Sequence, residues 1–328
     1  MNSAALPETQ IEAIRFFADE AVCHEFLTRM RWGDAVKCAH CESENVGKLS
    51  VSVVPSRSKK EGAKPTTRRV WNCKACKKQF TVKTGTIFED SALGLEKWLP
   101  AVWMICNAKN GVSSCELARS LGVTQKSAWF MGHRIRNAMR DGGFTLNGEV
   151  EADEAYIGGK LTNMHAKKRK EQPHKFSNKT QVLGMLERSP TRGGSKILLE
   201  AMDNRLDNHL TDHVVKKIEH GSKLYTDAAG HYQGMRHYFE HEFIDHAVTY
   251  VQGKVHTNGL ENFWSLLKRT LKGTYVSVSP DHLFRYLDEQ ATRFNERSAD
   301  DLTRFLSTMK RVNGRRLPYV ALTNIGLI

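Results

Sequence analysis

Apolar positions recur along this chain with two periods, and the change of period divides it. From Glu8 to Arg29, Ile11, Ile14, Phe17, Val22, Phe26 and Leu27 fall mostly on one broad face, predicting a helix. Helical spacing returns from about Leu95 to Arg140 and stops at Asp141-Gly142-Gly143. Beyond that break the pattern alternates. Glu149 to Ile157 reads as a strand ended by Gly158-Gly159, and Gln181 to Leu186 and Lys196 to Ala201 read as two more. A helix is expected over Asn208 to Glu219, then a short strand from Ser222 to Thr226 that ends at Asp227. A helical stretch near Tyr232 to Phe239 precedes a strand over Ala247 to Val251. Helices fill most of Asn258 to Leu271, Pro280 to Arg297 and Asp300 to Val312.

Seven cysteines interrupt this pattern unevenly. Cys23, Cys106 and Cys115 stand singly on apolar helix faces, as core residues do. The other four form two CxxC pairs, Cys38/Cys41 and Cys73/Cys76, with 73 − 41 − 1 = 31 residues between them. A CxxC turn points two thiolates at one ion, and two such turns complete a tetrahedral Zn²⁺ site. The pairs flank strand-like segments (Arg69 to Asn72, Gln79 to Val82), so a zinc ribbon is predicted. A closed four-cysteine site leaves no open position, which makes the zinc structural. His40 lies inside the first knuckle but four thiolates suffice. The stretch from Ser56 to Pro65 is polar and basic, as a loop would be.

Val112 to Met139 predicts a helix-turn-helix. Ser113 and Glu116 form a capping box, Glu116 to Leu121 a short helix and Gly122 the turn; Thr124 caps a second helix. Gln125, Lys126 and Ser127 at its start are candidates to face bases, with Arg134 and Arg136 further along.

Charge agrees with a nucleic-acid partner. Lys and Arg number 49 against 36 Asp and Glu in 328 residues, a net charge of +13. No apolar run is long enough to span a bilayer and no signal peptide opens the chain, so a cytoplasmic, nucleoid-associated protein without membrane contact is expected. Lys167-Lys168-Arg169-Lys170 is a basic run between the first two strands that would be solvated or lie along a DNA backbone.

The order of three strands, a helix, a strand, a helix, a strand and a helix is that of an RNase H-like α/β fold. The predicted organisation is an N-terminal helix and zinc ribbon over 1–90, a helix-turn-helix region over 91–145, an RNase H-like catalytic domain over 146–298 and a helical extension over 299–328. Within it, Asp153 lies near the end of the first strand, Asp227 directly after a later one and Glu261 near a helix start. The separations are 227 − 153 = 74 and 261 − 227 = 34. Carboxylates converging from different elements suit a pair of hard cations that promote phosphoryl transfer. Strand alternation does not separate Asp153 from Glu151, and Asn258 and Asn262 are rival ligands at the third position. Glu261, Ser265 and Lys268 share a helix face, so Lys268 could hold a phosphate beside a metal-bound carboxylate, with Arg269 next to it. Trp264 reads as a core residue or a base-stacking platform.

Several blocks together resemble one family: Thr84-Gly85-Thr86-Ile87-Phe88, Ala128-Trp129, Asp153 to Gly159, Tyr225-Thr226-Asp227, His256 to Arg269, and Arg285 to Glu289. They resemble the ISXO-type DDE transposases of bacterial insertion sequences, which carry an N-terminal zinc ribbon. The resemblance implies an enzyme that binds the terminal inverted repeats of its element, nicks them and joins the 3′ ends to target DNA with Mg²⁺ or Mn²⁺. It implies double-stranded DNA as partner, and a homo-oligomer when two ends are paired. By resemblance Asp153 and Asp227 are the first two metal ligands, Glu261 the third with Asn258 in reserve, and Lys268 the family's basic residue. The chain departs from the family at Ala39, where proline is common, and in its long basic insert between knuckles. A nuclease that cuts without joining, or a regulator that has lost chemistry, would share many of these features.

Overall fold

The computed structural model describes residues 6–49, 52–54, 66–140, 143–159, 165–170, 179–202, 210–227, 232, 234–244 and 256–323. The expected loop over 56–65 and strand over 247–251 lie outside these residues. The chain divides into two compact units: Met1–Cys106 with Leu117–Ala138 and Asp300–Thr323, and Asn107–Glu116 with Met139–Ala299 and Asn324–Ile328.

The N-terminal pattern resolves into two helices, α1 (Gln10–Phe16) and α2 (Glu20–Trp32), rather than one. The break is made by Asp19, whose carboxylate accepts the Ala21 N–H at 2.6 Å and so starts a new helix. Short strands follow: β1 (Val46–Lys48), β2 (Ser52–Val54), β3 (Thr66–Arg68), β4 (Trp71–Cys73) and β5 (Gln79–Phe80). β1, β4 and β5 form one antiparallel sheet, and β2 pairs with β3. Helices α3 (Leu95–Asn107), α4 (Ser114–Leu121) and α5 (Gln125–Met139) come next. Ser113 Oγ accepts the Glu116 N–H at 3.1 Å, and Thr124 Oγ1 accepts the Ser127 N–H at 3.2 Å, capping α4 and α5 as the sequence suggested. Cys115, in the first turn of α4, is exposed rather than in the core, whereas Cys23 and Cys106 are buried.

The second unit is built on five strands. β6 (Glu149–Gly158), β7 (Lys179–Glu187) and β8 (Lys196–Ala201) form an antiparallel meander. The basic run between β6 and β7 forms a short helix, α6 (Ala166–Lys170). Helix α7 (Leu210–Lys217) then carries the chain to β9 (Lys223–Asp227), which runs parallel to β6, and a 3₁₀ turn at Met235–His237 leads to β10 (Glu240–Ile244), parallel to β9. Sheet order is β10-β9-β6-β7-β8. Helices α8 (Asn258–Thr270) and α9 (Leu283–Asn295) follow; α10 (Asp301–Lys310) and α11 (Tyr319–Thr323) belong to the first unit.

Alternation along the strands gives the sheet two buried faces. Val150, Ala152, Leu183, Met185 and Leu224 pack with Val214, Tyr232 and Met235 on one. Ala155, Val182, Leu186 and Ile197 pack against Leu260, Phe263, Trp264 and Leu267 of α8 and Leu283, Tyr286 and Leu287 of α9 on the other. Glu151 and Asp153, two residues apart with Ala155, therefore face α8. Among the described residues no helix is long and apolar enough to cross a membrane.

Candidate functional site

Cys38, Cys41, Cys73 and Cys76 converge, with all four sulfur atoms within 4.8 Å of one another. A Zn–S bond of about 2.3 Å in a tetrahedron requires sulfurs about 3.8 Å apart. The Cys38–Cys76 and Cys41–Cys73 separations are 3.7 and 3.6 Å, so the cage fits a zinc ion. Each knuckle bonds a backbone N–H to its first cysteine. In the first the His40 N–H donates to Cys38 Sγ, in the second the Cys76 N–H donates to Cys73 Sγ, each at 3.4 Å. The residue after each second cysteine, Glu42 and Lys77, turns the chain with φ of 60°. His40 stays outside the cage, its Nε2 lying 3.3 Å from the Gln79 carbonyl oxygen.

The acids of the second unit are set by strand register. β6 pairs with β9 at Glu149↔Lys223, Val150↔Leu224 and Glu151↔Tyr225, an offset of 223 − 149 = 74. The offset between Asp153 and Asp227 is also 227 − 153 = 74, so both stand at the same level just beyond the last rung. Burial pushes the Asp153 carboxyl up to about 6; the Trp264 indole opposes this, and the charges of Glu154 and Asp227 add to it. The Tyr232 hydroxyl donates to Glu154 Oε1. Burial first, then the charges of Glu154, Asp153 and Asp227, hold that phenol well above its usual range.

Two bonds tie β6 to α8. Glu151 Oε2 accepts the Leu260 N–H at 2.9 Å, and Asp153 Oδ2 accepts the Trp264 indole N–H at 2.9 Å. Two strand residues rise about 6.7 Å and four helical residues about 6.0 Å, so the rungs stay in step. Glycine makes room at both. A Cβ on Gly259 would lie 2.8 Å from Glu151 Oε2, and one on Gly184 2.6 Å from Trp264 Cζ2. Glu151 is otherwise committed: Arg188 Nε donates to its Oε1 at 2.8 Å, and Arg188 lies over the Tyr225 ring at 4.4 Å. Glu151 is 1% exposed, so Glu151→Ala removes the main charge partner of the half-buried Arg188 and the acceptor of the α8 start together. A loss of about 3 kcal/mol is expected in denaturant unfolding.

Glu261, Lys268 and Arg269 are exposed on α8, as is Asn258. At 3.6 residues per turn, Glu261 and Lys268 lie about 60° and about 40° from Trp264 around the helix, on one side of it. Asn258 is about 120° away and Asn262 about 160°. Among the described residues only the four cysteines form a tight metal-ligand cluster, so Glu261 is not drawn into contact with the two aspartates. A cavity of about 490 Å³ opens at the other end of the strands, lined by Gly148, Glu149, Ser222, Lys223 and Glu240. It is four strand residues, about 13 Å, from the acid pair.

At the start of α5, Gln125 and Lys126 are exposed and Ser127 half-buried, with Lys126 Nζ 5.1 Å from the Tyr319 ring centre. Arg134 and Arg136 correct the expectation, for they are 2% and 4% exposed and present no charge to a duplex. The Arg134 guanidinium donates to the Glu89 carbonyl and lies over the Trp98 and Phe130 rings at 5.5 and 5.1 Å. Arg136 folds back onto its own helix, Nη1 being 3.0 Å from where a Cβ on Gly132 would stand. Lys168 and Arg169 fall on α6, and their side chains are outside what the structure describes. No local pattern marks Arg188 as the partner of Glu151, 37 residues away.

Comparison with known proteins agrees with this two-part construction. A family profile described as an ISXO2-like transposase domain matches residues 145–295, and one described as a transposase zinc-ribbon domain matches residues 18–79. A protein of Halobacterium salinarum, described as an uncharacterized protein in transposable element ISH50, is 26% identical over 289 residues, covering 84% of this chain and 90% of the relative. An ISXO2-like transposase domain thus follows a transposase zinc ribbon along this chain.

Proposed function

We propose that this transposase binds the terminal inverted repeats of its insertion sequence and catalyses cleavage and strand transfer on an RNase H-like domain, with Asp153, Asp227 and Glu261 as ligands for two divalent cations. The strand register carries this reading: a single offset of 74 brings two aspartates level on adjacent parallel strands, one of them desolvated. The sheet order, an antiparallel meander extended by two strands parallel to its first, supports the fold. Hard carboxylate oxygens suit Mg²⁺ or Mn²⁺. When bound, such a pair activates the attacking oxygen and stabilises the leaving one. The capping and pairing of Glu151 favour Asp153 over it as the ligand on β6. The helical wheel favours Glu261 over Asn258, and lets Lys268 hold a phosphate on the same side of α8. Gln125, Lys126 and Ser127 would read bases from the N-terminal end of α5, and Arg269 would meet the backbone. Two DNA ends must be paired for joining, so an oligomer on DNA in the cytoplasm is part of the reading.

Zinc-loaded protein with Mg²⁺ or Mn²⁺ is expected to convert DNA carrying the element's ends into joined products on a gel. Nicked products that never join to target would overturn the transposase chemistry in favour of a nuclease.

A further inference from the structure

We propose that Trp264 is a positioning residue whose indole N–H holds Asp153 Oδ2 and thereby fixes the direction from which that carboxylate meets a divalent cation. The inference rests on the reading of Asp153 as a metal ligand. Trp264 is 5% exposed, packed with Leu260, Phe263 and Leu267 against the sheet. Burial alone would be served by phenylalanine or leucine, which carry no polar atom. A buried indole N–H needs an acceptor, and the acceptor here is the acid itself, at 2.9 Å.

The strand opposite is shaped for this bond. Asp153 pairs with Gly184 across the β6–β7 ladder, so the residue facing the acid is one without a side chain. A Cβ there would meet Trp264 Cζ2 at 2.6 Å and Cη2 at 2.7 Å, and Leu260 Cδ2 at 3.0 Å. The ring occupies the space that the glycine leaves, and any larger residue displaces the indole from the carboxylate. A glycine in the interior of an apolar strand otherwise weakens it, and close approach by a neighbour is the usual reason for one. Groups that orient a metal ligand in this way typically change metal affinity by about 10-fold or more when removed.

The test is Mn²⁺ binding to zinc-loaded protein, followed by the electron paramagnetic resonance signal of free Mn²⁺. Trp264→Phe, which keeps an aromatic ring and loses the N–H, is expected to weaken binding about 10-fold. Gly184→Ala, which keeps the indole and shifts it, is expected to weaken binding in the same direction. Folded variants that both bind Mn²⁺ as the natural chain does, with only their unfolding midpoint lowered, make Trp264 a core residue and overturn the proposal. Asp153→Asn with unchanged Mn²⁺ binding would instead sink the reading of Asp153 on which it rests. Should Trp264→Phe fail to fold, the natural chain labelled with ¹⁵N at its 6 tryptophans decides. Mg²⁺ is expected to shift one indole resonance, and that response is expected to vanish in Asp153→Asn. No shifted indole with bound Mg²⁺ overturns the proposal.

Discussion

Asp153→Asn is expected to abolish strand transfer while making the metal-free protein more stable at neutral pH. The first effect follows, on the proposed role of Asp153, from losing a charged metal ligand. Several kcal/mol of transition-state stabilisation would go with it, a fall of about 1,000-fold or more in joining rate. The second follows from the raised carboxyl, at about 6 against the ordinary 3.8. Because the folded chain takes up this proton more readily than the unfolded one, the residue costs nothing below about pH 4. Its cost grows as pH rises through about 6 and is complete above it, reaching about 3 kcal/mol. Metal-free natural protein should therefore lose part of its stability over that window, opposite in sign to a carboxylate held in an ion pair. Denaturant unfolding at pH 5 and pH 8, with and without the substitution, measures it. An Asp153→Asn protein no more stable than the natural one at pH 8 would show that burial does not strain this acid. Full joining by this variant would remove Asp153 from the proposed active site, and full joining by Asp227→Ala would remove Asp227.

Zinc removal is the other large effect. The ribbon's sheets are short, β1, β4 and β5 having three, three and two residues, too little ladder to hold a fold alone. Structural zinc contributes about 10 kcal/mol or more to such a module at neutral pH. Chelation, or Cys73→Ser, is expected to unfold the region around Trp71 and Phe80, whose rings stack at 6.0 Å. One zinc per chain should be lost with it. A ribbon whose hydrogen exchange is unchanged by chelation, or protein with well below one zinc per chain, would contradict the assignment. Acid should act in the same direction, since thiolate ligands must be deprotonated to bind.

How much of this was legible in the sequence depended on whether a signal was local. The β6–β8 meander could be read from alternation because its strands are half-buried or fully buried. β10 could not, since Glu240-His241-Glu242-Phe243-Ile244 is polar, with Phe243 half exposed, and carries no apolar stripe. The cysteine cage needed only spacing. Choosing between Glu151 and Asp153 needed partners 37 and 109 residues away, which no pattern within the strand supplies. The Arg134 expectation failed where a local signal existed. Met131 and Ala138, three before and four after it on the same helix face, are both buried. Gly184 and Gly259 were legible as oddities, a glycine inside an apolar strand and one in the first turn of a helix, though not for what each accommodates.

The ladder between β6 and β9 ends at Glu151↔Tyr225, two residues short of the acids. Asp153 is held on the other side by β6 pairing with β7 as far as Gly158, while Asp227 is level with Ile244 on the β9–β10 pair. The aspartates thus ride on two separately braced jaws of one sheet, whose opening at that level no β6–β9 ladder bond dictates. Such a fork has compliance across its mouth and stiffness along each arm. On the proposed role of the two aspartates, cations of different radius would be taken up by a small change of gape, without disturbing either hydrogen-bonded half.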